Sequence, residues 1–111
     1  MKKTLILLFA LFSVNLFYAH SAKNIILTFD EKNSELSIDA IHKVSNEKKH
    51  YINQFIIFVN DKQIFEKKYN LQTNKDEQKD TVKIEAKAGD KIKVNSNCNL
   101  GGKKSGELLV K

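Results

Sequence analysis

The chain has 111 residues and a formal net charge of +6, with 19 Lys against 13 acidic residues and no Arg. Without Arg it lacks the planar, forked donor that reads phosphate and guanine, which argues against a nucleic-acid partner. The single Cys, Cys98, excludes an internal disulfide, and the length allows one modest core.

The chain opens with Lys2 and Lys3, followed by an apolar run over residues 5–14 that Leu16, Phe17 and Tyr18 continue. Small residues follow at Ala19, Ser21 and Ala22. A positive start, an apolar run and a small-residue exit make a secretory signal peptide. The run falls short of the roughly 20 apolar residues that span a hydrocarbon core, and Asn15 interrupts it. The expected cut follows Ser21 or falls one residue later, giving a leader of residues 1–21 and a mature domain of residues 22–111. Such a protein is periplasmic or secreted, with no membrane contact once the leader is removed. No Cys stands near the exit, which argues against a lipid anchor.

The remainder reads as strands. Residues 25–29 are β-branched and aromatic, and residues 36–40 alternate apolar and polar, the period of a half-buried strand. Residues 52–59 are nearly continuously apolar, as a central strand requires. Asn60-Asp61-Lys62 reads as the turn of a hairpin whose second arm covers residues 63–69. The polar residues 70–80 are expected to form a loop. Val82, Ile84 and Ala86 alternate, Ala88-Gly89-Asp90 turns the chain, and Ile92 and Val94 alternate again. Residues 95–102 are expected as a loop carrying Cys98, and residues 108–110 as the closing strand. About seven short strands with frequent turns and no Pro predict an antiparallel β-sandwich. Ile52, Phe55, Ile57, Val82, Ile84, Ile92 and Val94 are expected inside.

His42 and His50 flank the polar loop between two strands, and Cys98 sits in a glycine-bordered segment near the end. Imidazole and thiolate together bind zinc, iron or copper, whereas carboxylates favour harder ions. His42, His50 and Cys98 are therefore the candidate metal ligands. His20 stands at the leader exit, where the expected cut removes it. A lone thiol in an exported protein is also exposed to oxidation unless it is bound or shielded.

His42, His50-Tyr51-Ile52, residues 58–62, residues 87–94 and Cys98-Asn99-Leu100-Gly101-Gly102 together resemble the iron-binding domain of the desulfoferrodoxin and superoxide reductase family. The resemblance runs from about residue 36 to residue 109 and implies an immunoglobulin-like β-sandwich. It implies an iron site of four imidazoles and an axial thiolate, with superoxide and an electron donor as partners. His50 matches the second His of the family pair, because Tyr51 and Ile52 follow it. His42 matches the first at a longer spacing, with Lys43 where the family has Pro, and Cys98 matches the thiolate. Gly101 stands where the family carries a loop His, and the family's N-terminal Glu-Lys-His segment has no counterpart. This incomplete set suits copper or zinc better than ferrous iron, and implies reduced or lost superoxide reduction. The alternative is a non-catalytic exported module that binds a metal weakly, binds none, or contacts a partner protein.

Overall fold

The computed structural model describes residues 20–111. The expected leader lies outside these residues except for its last two positions, His20 and Ser21. Seven strands follow in order: β1 (Asn24–Asp30), β2 (Glu35–Ile41), β3 (Ile52–Val59), β4 (Lys62–Lys68), β5 (Glu77–Lys83), β6 (Lys91–Cys98) and β7 (Lys103–Leu109). They form a three-stranded sheet, β1-β2-β5, and a four-stranded sheet, β4-β3-β6-β7, with every pairing antiparallel. Strands three, six and seven share a sheet opposite strands one, two and five, as in immunoglobulin constant-type sandwiches. Here the fourth strand pairs with the third.

The core follows from period-two alternation. In β2, Leu36, Ile38 and Ala40 face inward while Ser37 and Asp39 face away. Ile52, Phe55 and Ile57 of β3 and Ile92 and Val94 of β6 meet them from the opposite sheet, and Val82 and Ile84 complete the core from the side of β2. All seven residues expected inside are buried. Gly106 of β7 lies against β1, where an added Cβ would stand 2.8 Å from the Ile25 Cβ. A side chain there would push the edges of the two sheets apart.

The β3–β4 hairpin turns at Asn60 and Asp61, whose φ angles of 50° and 69° are both left-handed. With Val59 paired to Lys62, this is the two-residue turn whose twist matches the flanking strands. β4 is exposed along its whole length. Its lysines discourage another chain from pairing with this edge.

Two loop expectations are corrected. Residues 70–80 are not wholly loop: β5 begins at Glu77, which pairs with Ile41, and Gln78 is buried. Residues 95–98 belong to β6, which pairs with β3 on one side and β7 on the other. Alternation continues through polar residues here, with Ser96 and Cys98 inward and the Ser96 hydroxyl donating to the Lys104 carbonyl at 3.0 Å. Pairing on both edges outweighs the low strand preference of Asn. The closing strand likewise starts earlier than expected, at Lys103.

Candidate metal centre

The topology collects the chemistry at one end of the sandwich. That end holds the starts of β1, β3 and β5 and the finishes of β2 and β6. His20 precedes β1, His42 follows β2, His50 precedes β3, and Cys98 is the last residue of β6. The strand register therefore gathers residues from four separate parts of the chain.

Three imidazoles meet there. One ring nitrogen each from His20, His42 and His50 lies within 4.8 Å of the others. The ring centroids are 4.6 Å apart for His20–His42, 4.6 Å for His20–His50 and 4.8 Å for His42–His50. Nitrogens about 2.0 Å from a tetrahedral metal stand roughly 3.3 Å apart. The cluster needs to close by on the order of an ångström to hold an ion. Sequence reasoning paired His42 with His50 but set His20 aside; the structure brings His20 into the group.

The hydrogen bonds orient the His42 and His20 rings. The Gln72 amide nitrogen donates to the carbonyls of His42 (2.8 Å) and Asn74 (2.9 Å), so its Oε1 is an acceptor. That oxygen accepts from His42 Nδ1 at 2.8 Å and from the Ile52 amide at 3.2 Å. His42 Nδ1 therefore carries the proton, and Nε2 of the neutral ring bears a lone pair. This Nε2 lies 3.1 Å from the His20 carbonyl oxygen. A carbonyl only accepts, so the contact is satisfied by a second proton on the ring or by a cation beside both atoms. In the same way His20 Nε2 donates to the Lys43 carbonyl at 3.2 Å, leaving Nδ1 free. His50 Nε2 is buried and has no hydrogen-bond partner among the described residues. Burial first, then the neighbouring His42 and His20, hold the His50 pKa below the usual imidazole value. A neutral imidazole is the metal-binding form.

Gln72 and Asn99 position the rings, and sequence reasoning missed both. Gln72 is fully buried in a stretch that reads as polar loop. Asn99 clamps both flanks of His50: its Oδ1 accepts from the Tyr51 amide (2.9 Å) and its Nδ2 donates to the Lys49 carbonyl (2.9 Å). Its backbone amide adds a bond to the Tyr51 carbonyl at 3.0 Å. The Cys-Asn pair in the sequence was the available signal for Asn99; nothing distinguished Gln72.

Cys98 is buried beneath this clamp, opposite Ile52 in the register, with Sγ 3.9 Å from Asn99 Oδ1. Its thiol is not among the groups that lie within 4.8 Å of one another. Beside His20 and His42 a groove of about 420 Å³ opens to solvent, lined also by Lys23, Lys43, Asp76 and Glu77.

The arrangement defines a β-sandwich with three imidazoles gathered at one end, a cluster that would hold a metal ion on closing by about an ångström. No protein-family model matches the chain, and no curated protein matches it in sequence. Among solved structures it is similar in fold to the superoxide reductase (neelaredoxin) of Ignicoccus hospitalis, at 15% identity over 79% of each chain with a TM-score of 0.48. A variant of that protein aligns at 16% identity over 82% of each chain, again with a TM-score of 0.48.

Proposed function

We propose that this is an exported metal-binding protein, its metal held by His20, His42 and His50, with Cys98 a further donor if its thiol moves toward the imidazoles on metal binding. The observation that carries the reading is the convergence of three imidazole nitrogens within 4.8 Å. Gln72 supports it, because a hydrogen bond to the far nitrogen of a metal-binding His sets its tautomer and orientation. The basic, apolar and small-residue pattern of residues 1–22 supports export to the periplasm or beyond.

A bound metal would supply a Lewis-acid or one-electron centre, according to the ion. The residues define what surrounds it. His42 is held from behind by Gln72, and His50 is fixed on both flanks by Asn99. The groove beside His20 and His42 admits a small ligand, with Lys23 and Lys43 favouring an anion and Asp76 and Glu77 opposing it. Superoxide, with an external electron donor, is the redox reaction that the Cys98-Asn99 resemblance implies. Gly101 at the position of the family's loop His leaves the imidazole set short, so ferrous iron is held weakly and superoxide reduction is slow or absent. Imidazole donors suit copper and zinc at such a site.

The test is titration of purified protein with copper(II), zinc and ferrous iron beside His42→Ala and His50→Ala. Both variants should lose affinity by at least about tenfold, since removing even an outer partner of a ligand costs that much. Wild-type affinity in both variants overturns the site. Rapid superoxide consumption by the iron form overturns the reading of lost activity.

A further inference from the structure

We propose that the chain is processed at the Ala19–His20 bond, so that the α-amino nitrogen of His20 joins the imidazoles as a ligand for copper(II). The inference rests on the metal site proposed above and adds to it the processing site, a further nitrogen donor and the ion.

A cut after Ser21 discards one of the three clustered rings. It also places the new chain end directly against residues built into the sandwich. Ala22 is only 2% exposed, and the Lys23 amide donates to the Ile41 carbonyl at 2.7 Å, extending the β1–β2 ladder. At Gly102, with φ of +104°, an added Cβ would stand 2.6 Å from the Ser21 nitrogen and 2.9 Å from the His20 carbonyl carbon. The backbone of residues 20–21 is thus seated directly on the β6–β7 loop. The His20 carbonyl faces His42 Nε2. The domain reaches back to His20, and the residue before it is Ala19, which meets the small-residue requirement next to a signal-peptide cut, while Phe17 departs from the small residue that the A-x-A pattern places two positions earlier.

The chemistry of His20 completes the argument. Its Nε2 donates to the Lys43 carbonyl, which leaves Nδ1 as the free nitrogen. Nδ1 is joined to the residue's own backbone nitrogen through Cγ, Cβ and Cα, so a metal bound to both closes a six-membered ring. Within the chain that backbone nitrogen is an amide and a poor donor. Hydrolysis turns it into an amine: water adds across the Ala19–His20 bond, Ala19 leaves as a carboxylate and the His20 nitrogen takes the proton. The catalyst is a membrane-bound signal endopeptidase, and no electrons are exchanged. A given site of one amine and imidazoles binds copper(II) more tightly than the other first-row divalent ions.

The full chain is to be expressed with export, and the exported protein's intact mass and N-terminal sequence determined. Copper(II) titration and electron paramagnetic resonance are then compared between the mature protein and a form with one Ala placed before His20. That addition keeps every imidazole and moves the amine away. The expected mature chain begins at His20, and the extended form binds copper(II) at least about tenfold more weakly, with fewer nitrogen couplings. A mature chain that begins at Ala22 or Lys23, or that keeps its first 19 residues, overturns the proposal. So does equal affinity of the two forms. His42→Ala and His50→Ala separate the two readings. If they weaken binding while the Ala extension does not, the imidazole site stands and the amine ligand falls; if neither does, the metal site itself falls and takes this inference with it.

Discussion

Gln72 Oε1 accepts a hydrogen bond of 2.8 Å from His42 Nδ1 while the same side chain donates to the His42 carbonyl at 2.8 Å, so one buried amide holds both the ring and the backbone of one residue. It reaches across 30 positions of sequence to do so. Replacing Gln72 with Ala strands the His42 N–H, the Ile52 amide and two carbonyls. Each buried group left unpaired costs roughly 1–3 kcal/mol. Gln72→Ala should lose a few kcal/mol in urea unfolding and bind metal about 10- to 100-fold more weakly, because the His42 tautomer is no longer fixed. Unchanged metal affinity in folded Gln72→Ala would show that the bond plays no part in the site.

Cys98 yields a spectroscopic prediction. If its thiolate joins the site, the copper(II) form should show a sulfur-to-copper charge-transfer band that Cys98→Ser removes while the imidazole ligation persists. Absorption spectra of the two copper forms decide it. Identical spectra would leave Cys98 as a core residue only, consistent with its 6% exposure.

Gly102 permits the close seating of residues 20–21. Gly102→Ala forces a Cβ to 2.6 Å from the Ser21 nitrogen in a left-handed conformation, and neither atom sits on a flexible side chain. The strain costs about 1–3 kcal/mol if the segment stays in place. Lifting the segment instead removes His20 from the cluster. The expected outcome is reduced metal affinity together with a lower melting temperature. A melting temperature and affinity equal to the wild type's would mean that the contact is absent in solution.

Asp80 ties the two sheets, reaching from β5 to Lys67 of β4 and to Tyr69 just beyond it. It accepts from Tyr69 Oη and from Lys67 Nζ at 2.7 Å. Burial acts to raise its pKa, but the bonds from Lys67 and Tyr69 outweigh burial and hold the carboxyl below its usual range. Tyr69 is pushed up, first by burial and then by Asp80, and so keeps its proton. A lowered carboxylate pKa stabilises the fold above the unfolded value of about 3.9 and loses that contribution as pH falls through the folded value. Asp80→Asn should cost about 1–3 kcal/mol near neutral pH and flatten the acid limb of the stability curve. Urea midpoints measured from neutral pH down to about pH 2 test this; an unchanged acid limb would remove Asp80 as its source.

Ile57 is fully buried between the sheets. Ile57→Ala should cost roughly 2–5 kcal/mol, the transfer of the lost carbons plus the cavity they leave. A cost under about half a kcal/mol would mean that the core has been misplaced.

The sandwich was legible because burial on one face writes period two into the residues. Leu36, Ile38 and Ala40 in β2, or Ile92 and Val94 in β6, announce an inward face without reference to any partner. The Asn60-Asp61 turn was legible because few residues accept two successive left-handed conformations. Strand ends in polar stretches were not legible. Ser96 and Cys98 continue β6 only because β3 and β7 supply hydrogen bonds from either side, and β3 is far away in the chain, with Phe55 opposite Ser96.

The candidate site divides along the same line. Sequence alone determined the donor types, the lack of a disulfide, and the pairing of His42 with His50 across one loop, since these follow from residue identity and near-neighbour spacing. Tertiary structure decided that His20 joins them, that Gln72 fixes the His42 tautomer and that Asn99 clamps His50. Each of those depends on which strand ends share one end of the sandwich. That is set by the pairing of β2 with β5 and of β3 with β6, a long-range register that no local run of residues encodes.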